Sequence, residues 1–344
     1  MRKSAKVVAG IFISVFFLWL VFRNIEFSEV LHYMQGITYW WLIPYFFVSL
    51  LSHFLRSERW RMLVQREHNV QHRDTLFAGV MLGYLVNYAV PRLGEISRSV
   101  YVAKKSDMST SDVIGTVVLE RIIDFACMLL MTLIVVFFII TDLETIQRVF
   151  GQQAVDFLAW MGELQQIATF ALIMIAAAIL VYALYLIINR WRKQSSLGKK
   201  IALRIENAIR QFIYGLTSIL RLKNWPLFLL STVLIWLCYA AMSYIPFIAF
   251  DLVSEHGLGF YHAWVVMVIS AIGVSLPSPG GIGTYHWFVM QTLVVLYSVP
   301  ATVALAYAFV THAVMMIIVI IITPVIIFFN TGGKFSFDIF KKTA

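Results

Sequence analysis

The sequence predicts an all-α polytopic membrane protein: six full spans and two re-entrant helical hairpins, eight hydrophobic segments arranged as an inverted-topology repeat. Three observations lead there. Of the 344 residues, 60% are hydrophobic and 13% charged, against roughly 25% charged in soluble domains, and mean hydropathy is +0.82. Apolar runs of about 17 residues or more, long enough to span a bilayer, recur along the chain. Two further apolar segments are interrupted by proline and glycine at matching places in the two halves, the pattern that marks broken transporter helices.

The first run, 5–22, follows Arg2, Lys3 and Lys6 and resembles a signal peptide. The next residues, Arg23 to Phe27, lack a small-x-small cleavage pattern, so it reads as an uncleaved span. The second run is 39–55. Segment 75–105 then breaks at Pro91 and Gly94, both helix breakers. The third, fourth, fifth and sixth runs are 112–140, 165–188, 226–250 and 301–329. Between the last two lies segment 261–298, broken at Pro277, Pro279, Gly280, Gly281 and Gly283.

Charge decides whether each broken segment crosses or returns. If both return, all 27 Lys and Arg residues fall on the cytoplasmic side except Arg23, Arg121 and Arg148. The outer loop 141–164 then carries four acids against one Arg. If 75–91 crossed once, the basic stretch 190–223 would face out, against the positive-inside rule. The first hairpin therefore enters from the cytoplasm, the second from outside, and both termini are cytoplasmic. The single domain 1–344 divides into pseudo-repeats of about 1–140 and 165–330. Stretch 199–222 has apolar residues at helical spacing, including Ile201, Ile205, Ile209 and Phe212. It reads as an amphipathic helix on the cytoplasmic leaflet. Asn224-Trp225-Pro226 starts the fifth span, with proline near the first helical turn.

The net charge of +9 fits a surface facing anionic lipid rather than nucleic acid, because it sits in the loops. Cys127 and Cys238 stand in apolar runs and imply neither disulfide nor metal site.

The candidate site residues are the polar groups in these apolar segments. At the first break, Asn87, Arg92, Glu95 and Arg98 stand where lipid is expected, and such groups usually face a protein interior or a substrate. The helix starting near Gly94 offers unpaired N–H groups to an anion such as phosphate. Arg92 and Arg98 add bidentate contacts, and Glu95 is expected to pair with either one. In the third span Glu120, Arg121 and Asp124 lie near the midpoint. Glu120 and Asp124 share a face, with Arg92 or Arg98 as expected partners. At the second break Pro279, Gly280, Gly281 and Gly283 let backbone N–H groups turn toward a ligand. Thr284 is the expected N-cap, and Tyr285, His286 and His312 follow in apolar surroundings, the two histidines flanking one site. For each group a purely structural network is the competing reading.

Enzyme signatures are absent: no HExxH motif or Walker loop and no GxSxG elbow. Gly273-Val274-Ser275 with His312 is a faint protease dyad without the following glycine. Glu26 and Glu29 do not form a metal-binding acidic pair. No catalytic residue, cofactor or metal is expected.

Three stretches in order, Pro91-x-x-Gly94-Glu95-x-x-Arg98, Glu120-Arg121-x-x-Asp124 and Pro279-Gly-Gly-Ile-Gly-Thr-Tyr285, resemble the membrane domain of the lysylphosphatidylglycerol synthase family, the flippase-like module of MprF-type proteins and stand-alone bacterial homologues. The likeness covers essentially the whole chain. It implies a flippase-like protein of the bacterial inner membrane moving an anionic or polyprenyl-phosphate-linked lipid between leaflets. Membrane lipids are then the main partners, and a separate lipid synthase or a second copy of the chain are the protein partners allowed. A membrane enzyme or enzyme partner acting on lipid-linked sugars, or a non-transporting scaffold for a lipid synthase, are the alternatives. His286 stands where the family commonly has Glu, and His312 where the last span commonly has Arg. The chain ends at Ala344, so the aminoacyltransferase domain of the full synthases is not expected.

Overall fold

In the computed structural model the described residues are 2–23, 25–64, 72–140, 217–276 and 278–333, with Arg210 and Tyr214. The expected fourth span, the outer loop 141–164 and most of the amphipathic stretch 199–222 lie outside them. Among the described residues the chain is all helical, with no strand. The helices are α1 (Arg2–Phe22), α2 (Phe27–Gly36), α3 (Leu42–Val64), α4 (Arg73–Ala89), α5 (Leu93–Lys105), α6 (Thr110–Ile140), α7 (Trp225–Ala249), α8 (Leu252–His256), α9 (Phe260–Ser275), α10 (Thr284–Tyr297) and α11 (Ala301–Asn330).

By length and composition α7 and α11 are able to cross a membrane. The stretches Gly10–Phe22 and Phe27–Gly36 are bent by 82° at the break between them. Asn224 caps α7: its Oδ1 accepts from the Leu227 N–H at 3.1 Å, with Pro226 in the first turn. α3 departs from expectation. The apolar run ends at 55, but the helix continues to Val64 and buries Arg56, Ser57, Arg59 and Trp60. Hydropathy ends a span where charge begins. Here the charged residues stay helical because α6 supplies carboxylates to receive them.

Both broken segments are helical hairpins. α4 packs against α5, and α9 against α10. Val90, Pro91 and Arg92 separate α4 from α5, and Arg92 takes the left-handed conformation at φ 65°. That conformation costs a non-glycine residue about 1–2 kcal/mol. What offsets it is the closure of the hairpin behind it. The Gly94 N–H donates to Asn87 Oδ1 at 2.7 Å, so a side chain of α4 satisfies an orphan donor of α5. Gly94 also crosses α4 at Gly83, where an added Cβ would collide with the Gly83 carbonyl oxygen.

Each hairpin has its own core. Around the first, Leu76, Val80, Tyr101, Val102, Val113 and Val117 are buried together with Trp60 and Leu63 of α3. Around the second, Val266, Met290 and Leu293 pack with Leu305 and Tyr307 of α11 and Phe247 of α7. The contacts exchange between halves: α3 meets α7, α4 meets α11, and α9 meets α6. At its far end α11 is tied to the base of the first hairpin. Asn330 accepts from the Tyr101 hydroxyl and donates to Asp74 Oδ2 at 2.7 Å and Thr75 Oγ1 at 3.3 Å. Its carbonyl oxygen accepts from Lys105 Nζ at 2.8 Å.

Candidate functional site

The strongest concentration of chemistry is a buried charge cluster shared by α3, α5 and α6. Glu120 and Asp124 lie one turn apart on α6. Glu120 accepts from Arg98 Nη2 at 2.7 Å and from Arg59 Nη2 at 3.2 Å. Asp124 accepts from Arg59 Nη2 at 2.6 Å and from Arg56 Nη2 at 2.8 Å. Arg56 Nη1 lies 3.2 Å from Glu120 Oε1. Relative exposure is 0% for Arg59 and Glu120, 3% for Arg98 and 4% for Arg56. Such burial strips these groups of water, so the cluster holds together only through its mutual contacts.

Aromatic rings close the cluster. The Arg98 guanidinium carbon lies 4.7 Å from the Trp60 ring centroid, and that of Arg56 lies 5.9 Å from Tyr84. The Trp60 indole N–H donates to Thr116 Oγ1 at 3.0 Å, which fixes the ring. The Tyr84 ring centroid also lies 4.5 Å from that of His53, tilted by 47°, and its hydroxyl is 3.4 Å from that of Tyr239 on α7.

Several expectations fall differently. Arg98 meets Glu120 as expected, but Arg92 does not. It is exposed at the hairpin tip and makes no ion pair among the described residues. Its left-handed backbone turns it out of the hairpin. Glu95 pairs with neither arginine; its Oε1 accepts from Asn87 Nδ2 at 3.4 Å. Asn87 thus bridges the break rather than facing the cluster. The helix start was expected to hold an anion, yet the Leu93 N–H goes to Val90 O and the Gly94 N–H to Asn87. Arg121 is exposed and forms no ion pair with Glu120 or Asp124 among the described residues.

The real partners of the two acids, Arg56 and Arg59, stand just beyond the apolar run 39–55, where hydropathy places the cytoplasmic flank. A signal was available. Ser49, Ser52, His53, Arg56, Arg59 and Trp60 recur at spacings of three and four, and all are buried. A polar stripe at helical period extends the helix past the point where hydropathy stops.

The second break is a closed polar knot. Gly280, Gly281 and Gly283 have φ of 59°, 80° and 85°. Gly283, not Thr284, is the N-cap of α10. A Cβ there would lie 2.5 Å from the Ser14 carbonyl oxygen of α1, so the position demands glycine twice over. The Thr284 hydroxyl instead sits 2.7 Å from Ser278 Oγ and 3.2 Å from Gly281 O. The Gly283 N–H donates to His286 Nδ1 at 3.2 Å. That is the role Glu or Gln plays at the third helical position of a capping box. The imidazole of His286 therefore serves as the acceptor in place of a carboxylate or amide. His312 Nε2 lies 2.9 Å from the Gly280 carbonyl oxygen and so donates to it.

The structure brings the two histidines together, with ring centroids 4.9 Å apart. Tyr285 stacks on His312 at 4.9 Å, and its hydroxyl is 3.1 Å from Thr311 Oγ1. The turn starting at Pro279 rests on the end of α4. A Cβ on Gly280 would lie 3.2 Å from Tyr88 Cδ1. Tyr88 is one turn beyond Tyr84, so the polar knot and the charge cluster border neighbouring turns of α4.

A family model described as the lysylphosphatidylglycerol synthase TM region matches residues 7–323. A UPF0104 membrane protein of Methanocaldococcus jannaschii is similar, at 24% identity over 149 residues. That match takes in 42% of this chain and 44% of the relative, so the chain spans less than half the relative's length. No solved structure matches. This chain, a multi-pass membrane protein, belongs to the lysylphosphatidylglycerol synthase TM-region family.

Proposed function

We propose that the protein moves an anionic lipid, either a phospholipid or a polyprenyl-phosphate-linked lipid, between leaflets of a bacterial inner membrane. The carrying observation is the buried cluster of Arg56, Arg59, Arg98, Glu120 and Asp124 beside the first hairpin. A purely structural core has little need of five ionised groups that an apolar set would replace at no loss. A headgroup pathway does need them, because charge inside a bilayer is tolerated where a substrate meets it. The headgroup would reach the arginines while its acyl tails stay in lipid.

In this reading six spans and the two hairpins form an inverted repeat, with both termini in the cytoplasm. The exchanged contacts of α4 with α11 and α9 with α6 support that symmetry, as do the two breaks meeting at Tyr88 and Gly280. The arginine donors are covered, so a headgroup gains access when the α4–α5 hairpin parts from α3. The reading assigns no catalysis to this chain. Lipids are its partners, with a lipid synthase or a second copy as protein partners.

The test is a leaflet-resolved assay in proteoliposomes of defined lipids. A labelled anionic phospholipid should change sides with the protein and not with Arg98→Gln. Sidedness unchanged by the wild-type protein would refute transport. Chemical conversion of the lipid would establish the enzyme reading instead.

A further inference from the structure

Among the described residues, three guanidinium groups and two carboxylates lie within ion-pair distance of one another, which leaves one positive charge in excess; Arg121, next to Glu120, is exposed and makes no ion pair with either acid. Glu95 does not alter that balance, because its carboxylate is bonded to Asn87 and forms no ion pair with the three arginines. Uncompensated donors lie together on one element. Arg56 Nε, Arg59 Nε and Nη1, and both ring nitrogens of His53 are buried without a hydrogen bond among the described residues, and Arg56 Nη1 has only its 3.2 Å ion-pair contact with Glu120. His53 is 4% exposed and precedes Arg56 by three residues, on the same face of α3. Tyr84 of α4 contacts both, with the His53 ring at 4.5 Å and the Arg56 guanidinium carbon at 5.9 Å. Tyr239 of α7 lies behind Tyr84.

Buried polar groups in native proteins are almost always satisfied, and exceptions call for a ligand, an ion or a functional role. A group that would satisfy these donors must be an acceptor with several oxygens. It must also bring one negative charge: none leaves the cluster positive, and two make it negative. We infer that His53, Arg56 and Arg59 form the recognition site for a singly charged phosphodiester, and that the cluster discriminates against dianionic phosphate monoesters. Its non-bridging oxygens take the free guanidinium N–H groups, as arginine does with phosphate generally. The proton-bearing nitrogen of a neutral His53 supplies a further donor. A phospholipid with an esterified headgroup and a sugar joined to polyprenol by one phosphate both qualify; phosphatidic acid and free polyprenyl phosphate do not. The inference rests on the transport reading and adds the charge and ester state of the substrate to it.

Phosphatidylmethanol and phosphatidic acid are the probes, since they differ by one methyl group and one charge. At about pH 8 a phosphate monoester is close to dianionic. Binding of each radiolabelled lipid to the purified full chain in detergent is measured at that pH. Phosphatidylmethanol should bind at least about tenfold tighter, an effect of one pairing gained or lost. Asp124→Asn raises the cluster by one charge and should shift the ratio toward phosphatidic acid by about tenfold. His53→Leu should weaken phosphatidylmethanol binding while leaving the protein monodisperse. Equal or tighter binding of phosphatidic acid by the wild-type chain overturns the inference without recourse to any variant. A ratio unmoved by Asp124→Asn overturns it too. Transport of both lipids at equal rates in proteoliposomes would sink the charge selection and leave the transport reading standing. Selective binding without transport would do the reverse.

Discussion

Neutralising Glu120 should destabilise the protein more than neutralising its partner Arg98, although one hydrogen bond joins them. Glu120 faces three guanidiniums: Arg98 at 2.7 Å, Arg56 at 3.2 Å and Arg59 at 3.2 Å. Arg98 faces one carboxylate and, at greater range, the like charges of the other arginines. At an effective dielectric near 20, a pair about 4 Å apart is worth about 4 kcal/mol before desolvation. Glu120→Gln forfeits three such attractions and relieves one repulsion, that with Asp124. Arg98→Gln forfeits one and relieves the repulsions. Set against the desolvation each variant recovers, breaking the buried cluster at Glu120 should cost about 4–5 kcal/mol. The loss at Arg98 is a charged hydrogen bond and a ring contact, about 2–3 kcal/mol. The difference of about 2 kcal/mol is roughly thirtyfold in the folded-to-unfolded ratio. The double variant should cost less than the sum, by about 1–3 kcal/mol, because the groups are in contact. Equilibrium unfolding in mixed detergent–dodecyl sulfate micelles, followed by tryptophan fluorescence, measures all three. A larger cost at Arg98, or strict additivity, would refute the charge imbalance on which the order rests.

Other perturbations have defined outcomes. Gly94→Ala drives a methyl group into the Gly83 carbonyl and the Asn87 side chain, and should cost at least about 2 kcal/mol by overpacking, read as a lower melting temperature in detergent. At the second break, His286→Gln retains an acceptor for the Gly283 N–H whereas His286→Leu orphans it, so the leucine variant should be the less stable by about 1 kcal/mol; equal stability would show that the cap contributes nothing. Asn330→Ala removes the side-chain bonds to Tyr101, Asp74 and Thr75; amide exchange should quicken at the ends of α5 and α11 while the hairpin core around Ala78 to Gly83 stays protected. Cysteines introduced at 195 and at 155 should label from the cytoplasmic and outer sides respectively, and labelling of 195 from outside would reverse the proposed topology.

Much of this protein is written locally. Pro91 and Gly94 end one helix and admit the next because proline lacks an N–H and glycine alone tolerates the crossing. The same applies to Pro279 through Gly283. These breaks, the apolar runs that became α1, α6, α7 and α11, and the two acids placed one turn apart on α6 follow from residue type and spacing. The tertiary structure decided which charges meet. Arg92 and Arg98 both stood three or fewer residues from a hairpin glycine or acid, yet only Arg98 turns inward. One residue in the left-handed conformation sends Arg92 outward. Arg56 and Arg59 looked like the charged flank of a span, and a cytoplasmic flank and a buried donor pair have the same hydropathy. Only the packing of α3 on α6 tells them apart, because a charge is stable in an apolar interior through its partners, and those come from distant parts of the chain.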